Sequence, residues 1–123
     1  MKIIIPLPPV TKKNNPQILY NHKTGKPFVA PSKQYQQYER DAKWFIPKLD
    51  VPIDEPVNVK CLFFTATNGR VDQVNLLSAI CDILVKYGVL ADDNSDIVVS
   101  HDGSRVCKGD LNPRTEIYIT KKR

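Results

Sequence analysis

The sequence predicts one small domain, spanning 1–123, in which helices and strands both contribute. Three observations carry that reading. Val57 to Thr65 alternates as a central strand does, Asp72 to Tyr87 repeats apolar residues at helical spacing before Gly88, and Ser32 opens a second helical run that Pro47 stops. At 123 residues the chain can bury roughly two-thirds of its unfolded surface, so it needs neither disulfide nor zinc to fold.

Lys2 to Leu7 (KIIIPL) is β-rich and ends in prolines, which predicts a short first strand. An irregular arm follows from Pro8 to Lys26, carrying Thr11, Lys12, Lys13, Asn14, Asn15, His22, Lys23 and Lys26, with a brief strand at Phe28 to Ala30. Lysine and amide side chains on a loop suit contacts to phosphate, the plain alternative being a solvated loop. Ser32 reads as the N-cap of a helix from Lys33 to about Ile46, with Tyr35, Tyr38, Ala42, Phe45 and Ile46 on the core side and Trp44 opposite, beside Lys33, Gln37 and Arg40. Trp44 there fits a partner contact, plain packing or a stacking platform.

Asp50 to Pro56 is a turn-rich connector, and Val57 to Thr65 reads as a strand covered on both sides. Across ATNGR the chain reaches Asp72 and the second helix. Leu76, Leu77, Ile80, Ile83, Leu84 and Tyr87 form its broad apolar face, Val74, Cys81 and Val85 form a second, and Asp72, Asn75, Asp82 and Lys86 make one polar line. Gly88 supplies a left-handed stop. Beyond Asp92, Asp93 and Asn94, strands are predicted at Ile97 to Val99, from Arg105 to Cys107 and at Thr115 to Thr120, with turns at HDGS and Asn112-Pro113 and a basic tail at Lys121 to Arg123.

No apolar run approaches the ~20 residues that span a bilayer. Prolines interrupt MKIIIPLPPV short of a signal-peptide core, so the expected location is the cytoplasm. Cys61, Cys81 and Cys107 form no CxxC pair and read as core residues. A net charge of +5, with acids concentrated between Asp72 and Asp102, makes a basic body around an acidic pocket. That distribution suits an anionic substrate held over metal.

Asp72 alone reads more readily as a helix cap than as a metal ligand, and Asp92 and Asp93 alone read as turn residues. In combination, a carboxylate at the mouth of a buried helix and a pair after the return loop suit Mg2+, which takes one or two carboxylates and leaves its other positions to water and phosphate. Asp82 is excluded from the same ion, because ten helical residues rise about 15 Å; a lysine partner, a backbone group to orient or a contact to a partner suits it better. His101, beside Asp102, reads as a general base or, more plainly, as polar surface in a turn.

The order of PLPP with Lys13-Asn14-Asn15, the Ser32-Lys33-Gln34-Tyr35 helix start, Arg70-Val71-Asp72-x-x-Asn75-Leu76, Asp82, Gly88-Val89 and Asp92-Asp93 resembles the RusA family of Holliday junction resolvases over nearly the whole chain. The resemblance implies an α+β fold, a small mixed β-sheet with two main helices packed on it. It also implies a homodimer and Mg2+-dependent endonucleolytic cleavage of four-way DNA junctions in recombination and repair, with Mn2+ a possible substitute. Such proteins are commonly encoded by phages and prophages.

Asp72 matches the first aspartate of the family's D-x-D-N-L-x-K pattern, Asn75 its asparagine, Leu76 its leucine and Asp93 its late carboxylate. The resemblance thus makes Asp72 and Asp93 catalytic metal ligands, with Asp92 available to complete the shell. Lys12, Lys13, Asn14, Asn15, Lys23, Lys26, Arg70 and Asn75 are the expected DNA contacts. Val74 stands where the family has its second aspartate, and Ser78 where it has lysine. Those two departures keep open a catalytically weak or inactive junction-binding protein, and a small basic binding module remains the third reading.

Overall fold

The computed structural model describes residues 1–12, 17–30 and 32–122. Its elements run β1 (Lys2–Ile5), β2 (Gln17–Tyr20), β3 (Pro27–Ala30), α1 (Lys33–Ala42), β4 (Val57–Thr65), α2 (Gln73–Lys86), β5 (Val98–Ser100), β6 (Arg105–Lys108) and β7 (Arg114–Lys121). The architecture is α+β with a mixed sheet. β7 lies antiparallel between β1 and β4, while the other edge of β4 is shared by two short parallel strands, β5 beside Val57 and Asn58, and β6 beside Leu62 to Thr65.

Side chains fill the break between β5 and β6. Asn58 Oδ1 accepts from the Asp102 N–H at 2.8 Å and the Ser100 hydroxyl at 2.5 Å, its Nδ2 donates to the Asp102 carbonyl at 3.1 Å, and the Cys61 N–H donates to Ser104 Oγ at 2.9 Å. His101 Nδ1 lies 2.8 Å from the Val59 carbonyl. This half-buried histidine therefore belongs to the sheet's interruption, where the sequence suggested polar surface or a general base.

Alternation on the strands sends Ile3, Ile5, Val57, Val59, Cys61, Phe63, Ile117 and Ile119 to one face, where they form a single core with both helices. α2 contributes Leu76, Leu77, Ile80, Ile83 and Leu84, and α1 contributes Tyr35, Tyr38 and Ala42. Among the described residues the opposite face carries no second layer, contrary to the expectation for β4. Instead the Lys60 ammonium lies 4.5 Å from the Tyr118 ring centre and the Arg114 guanidinium 3.8 Å from that of Phe64, so long cationic side chains cover the aromatic surface.

Three further expectations need correction. Gln17–Tyr20, read as part of an irregular arm, is a strand that pairs antiparallel with Pro27–Ala30. The strand-forming Ile18, Leu19 and Tyr20 outweigh the polar residues around them. α1 stops at Ala42 and tightens into a 3-10 turn over Lys43–Phe45. The tighter winding carries Phe45 off the core side, where it is 42% exposed. β1 ends at Ile5, before the first proline, rather than at Leu7.

Candidate metal and nucleic-acid site

Asp72 sits at the N-cap of α2 because its side chain satisfies a donor that the first turn leaves unpaired. One carboxylate oxygen accepts the Asn75 N–H at 3.2 Å and the other accepts the Asn75 side-chain amide at 3.1 Å. Both partners are neutral, and no cation among the described residues neutralises the carboxylate. It lines an open cleft with Arg70 and Asn75, closed on the far side by Pro9, Val10, Thr11 and Gln34. Sequence reasoning missed Thr11 and Gln34 in that cleft. Their proximity to α2 depends on how the arm and α1 dock, which no local pattern encodes.

α2 rises about 20 Å over its fourteen residues before the chain turns back. The turn rests on Gly88, at φ +78°, and the N–H groups of Val89 and Leu90 both donate to the Leu84 carbonyl, at 2.9 and 3.2 Å. Ile53 then pairs with the returning segment, donating to Val89 and accepting from Ala91, each at 2.9 Å. The segment therefore runs parallel to the connector that leads into β4. The Cys81 thiol of α2 is pushed up to about 12, first by burial and then by the negative charge of Asp93.

Asp92 and Asp93 are not equivalent. Asp92 accepts the Asp93 N–H at 2.7 Å and the Asn94 amide at 3.0 Å, and these hydrogen bonds, the backbone one first, hold its carboxyl below the usual carboxylate range. Asp93 makes no ion pair with a cation among the described residues, and its side chain is exposed. Among the described residues no three His, Cys, Asp or Glu side chains converge into a metal-binding group. Asp72, Asp92 and Asp93 are thus not gathered into a three-carboxylate cage: Asp92 is engaged in its own turn, and Asp72 in its cap. Asp72 and Asp93 are each exposed hard-oxygen donors of the kind Mg2+ accepts, and that ion takes one or two carboxylates.

Asp82 forms an ion pair with Lys12, whose ammonium also lies 5.7 Å from the Tyr35 ring centre. The expected lysine partner is present. A lysine assigned to DNA is accordingly tied to α2, where it pins the arm. Lys86 pairs likewise with Glu39 of α1. Two residues of the polar line of α2, Asp82 and Lys86, are thereby tied to the arm and α1, whereas Asp72, Val74 at 73% exposure and Ser78 remain open to solvent. Of the second apolar face expected for α2, Cys81 is buried and Val85 half-buried.

Lys23 and Lys26 are exposed on the turn joining β2 to β3. Asn21 builds that turn, its side-chain oxygen accepting the Lys23 N–H at 2.8 Å and its N–H donating to the Lys26 carbonyl at 2.9 Å. Arg70 is exposed at the cleft, and Asn75 holds Asp72. Lys13, Asn14 and Asn15 lie outside the described residues, as does Arg123. No helix among the described residues is long and apolar enough to cross a membrane.

A family model described as endodeoxyribonuclease RusA matches residues 6–120. A search of curated proteins finds no match.

Proposed function

Because the chain belongs to the RusA endodeoxyribonuclease family, we propose that it resolves four-way DNA junctions as a homodimer, by paired phosphodiester hydrolysis that depends on Mg2+ or Mn2+ held by Asp72 and Asp93. Supporting it are the family match, the open, un-neutralised Asp72 carboxylate at the start of α2, and Asp93, a second exposed carboxylate on the segment that follows the Gly88 turn. In that position a divalent cation supplies Lewis acidity toward the phosphodiester and a means of activating water.

Each remaining residue has a task set by its contacts. Asn75 fixes the Asp72 carboxylate in one rotamer through its side-chain amide. Arg70, on the same cleft, offers a planar cation to a phosphate approaching Asp72. Asp92 holds the turn that presents Asp93. Lys23 and Lys26 contact the DNA backbone away from the reacting bond, fixing position without reading sequence.

The decisive assay is cleavage of a labelled four-way junction beside a linear duplex of the same sequence, with Mg2+ and with EDTA. Symmetric cuts in the junction alone, dependent on the ion, support the proposal; indifference to branching or to the ion sinks it. Sedimentation at micromolar concentration tests the dimer, which two coordinated cuts require. A second reading, junction binding with weak or no cleavage, is favoured by the open positions of Val74 and Ser78, where family members carry a carboxylate and an ammonium. Tight junction binding without product would establish it.

A further inference from the structure

The excess positive charge of this protein is confined to its first third. Residues 1–38 hold Lys2, Lys12, Lys13, Lys23, Lys26 and Lys33 and no acid, whereas residues 39–123 hold the other twelve of eighteen cations against all thirteen acids, a net of −1. The β2–β3 hairpin projects from this region. One of its faces presents Ile18 at 67%, Tyr20 at 64% and Val29 at 73% exposure, and the other presents Leu19 at 41% and Phe28 at 48%. None of these side chains belongs to the hydrophobic core.

Such an apolar ribbon is costly to leave in water unless something covers it. Its tip says what that something is. Tyr20 and Phe28 line a shallow cleft with Asn21, His22 and Lys23, so aromatic surface adjoins an ammonium and an imidazole with no carboxylate from the hairpin. Aromatic rings interleaved with cations match an unpaired nucleotide, whose base stacks while its phosphate pairs. A duplex offers the phosphate but keeps its bases stacked inside; the crossover of a branched DNA can offer both.

We propose that the β2–β3 hairpin is a binding site for unpaired or unstacked nucleobases, with Tyr20 and Phe28 as the stacking surfaces and Lys23 and Lys26 as the phosphate contacts. The assignment of the crossover as its natural target rests on the junction-resolving reading above. The turn is already ordered for this role: Asn21 accepts from Lys23 and Thr24, and Gly25, at φ +68°, donates to the Asn21 carbonyl at 2.7 Å. A rigid tip loses little freedom on binding.

The test places 2-aminopurine at the crossover of a four-way junction, in a single-stranded oligonucleotide and within a linear duplex, all in EDTA so that cleavage plays no part. Wild-type protein is expected to change the fluorescence of the junction and the single strand but not of the duplex. Tyr20→Ala and Phe28→Ala should abolish that change and weaken single-strand binding about tenfold each, while Tyr20→Trp retains both. Lys23→Ala with Lys26→Ala should instead weaken all three DNA forms and flatten the dependence of log K on log[salt] by about 1 to 2.

If wild-type protein binds the junction and the two aromatic variants match it in affinity and fluorescence, the hairpin site is wrong and the junction reading stands. If the single strand responds while the junction is bound no better than duplex, the hairpin site stands and the junction reading falls. Loss of dimer in Tyr20→Ala or Phe28→Ala, seen by sedimentation with DNA binding intact, overturns the proposal in favour of a second copy as the occupant.

Discussion

The backbone N–H and the side-chain amide of Asn75 both close on the Asp72 carboxylate, at 3.2 and 3.1 Å, so Asp72 caps the helix while Asn75 fixes the direction of its carboxylate. The cap and the metal ligand are therefore compatible uses of one aspartate. Asn75→Ala removes only the side-chain half of this arrangement. It should cost about 1 kcal/mol of stability, measured by urea titration, and weaken Mn2+ binding several-fold in calorimetry. Unchanged Mn2+ affinity would mean that Asn75 supports the helix and nothing else.

Val74 stands two residues after Asp72, 73% exposed and without a place in the core, so it can be exchanged without a cavity. Val74→Asp restores a carboxylate at the position where the family pattern has one and is expected to tighten Mn2+ binding by about tenfold, or ~1.4 kcal/mol. Ser78→Lys, one turn on, adds the missing cation. If neither variant changes cleavage or metal affinity, the exposed stripe of α2 does not face the reacting phosphate.

The turn holding Asp93 should be sensitive to acid. Hydrogen bonds to Asp92 depress its pKa in the folded chain, so their contribution is present above the ordinary carboxylate range and is lost as pH falls through the depressed value. The Asp93 backbone N–H and the Asn94 side-chain amide, the two donors to Asp92, should shift together in that acidic window. Asp92→Ala should remove the shift and leave the α2 cap unaffected. A shift that persists in Asp92→Ala would assign it to another carboxyl.

How much of this was legible depended on whether the signal was local. Ser32 and Asp72 as caps, Gly88 as a stop and β4 from Val57 to Thr65 followed from residue type and period, and each stands where expected. The β2 strand was not legible, because four residues embedded among lysine, asparagine and proline carry too little alternation, and only pairing with β3 stabilises them. Phe45 went wrong because its place depended on a helix keeping its pitch for one more turn. The pairing of Lys12 with Asp82 was open only as a type of contact, since the partner comes from an arm whose docking is tertiary.

The central claim is that Asp72 and Asp93 hold the ion that cuts DNA. Asp→Asn is the informative change: asparagine caps a helix about as well as aspartate, so Asp72→Asn should keep the fold, yet it removes the charge a hard cation needs. The measurement is single-turnover cleavage of a four-way junction in Mg2+ by Asp72→Asn, Asp93→Asn and Asp82→Asn, with junction binding in EDTA as the companion readout. Asp72→Asn and Asp93→Asn should each lose cleavage while binding the junction as well as wild type or better, and Asp82→Asn should retain cleavage. Wild-type cutting rates in Asp72→Asn and Asp93→Asn would contradict the account and leave Asp72 as a helix cap alone.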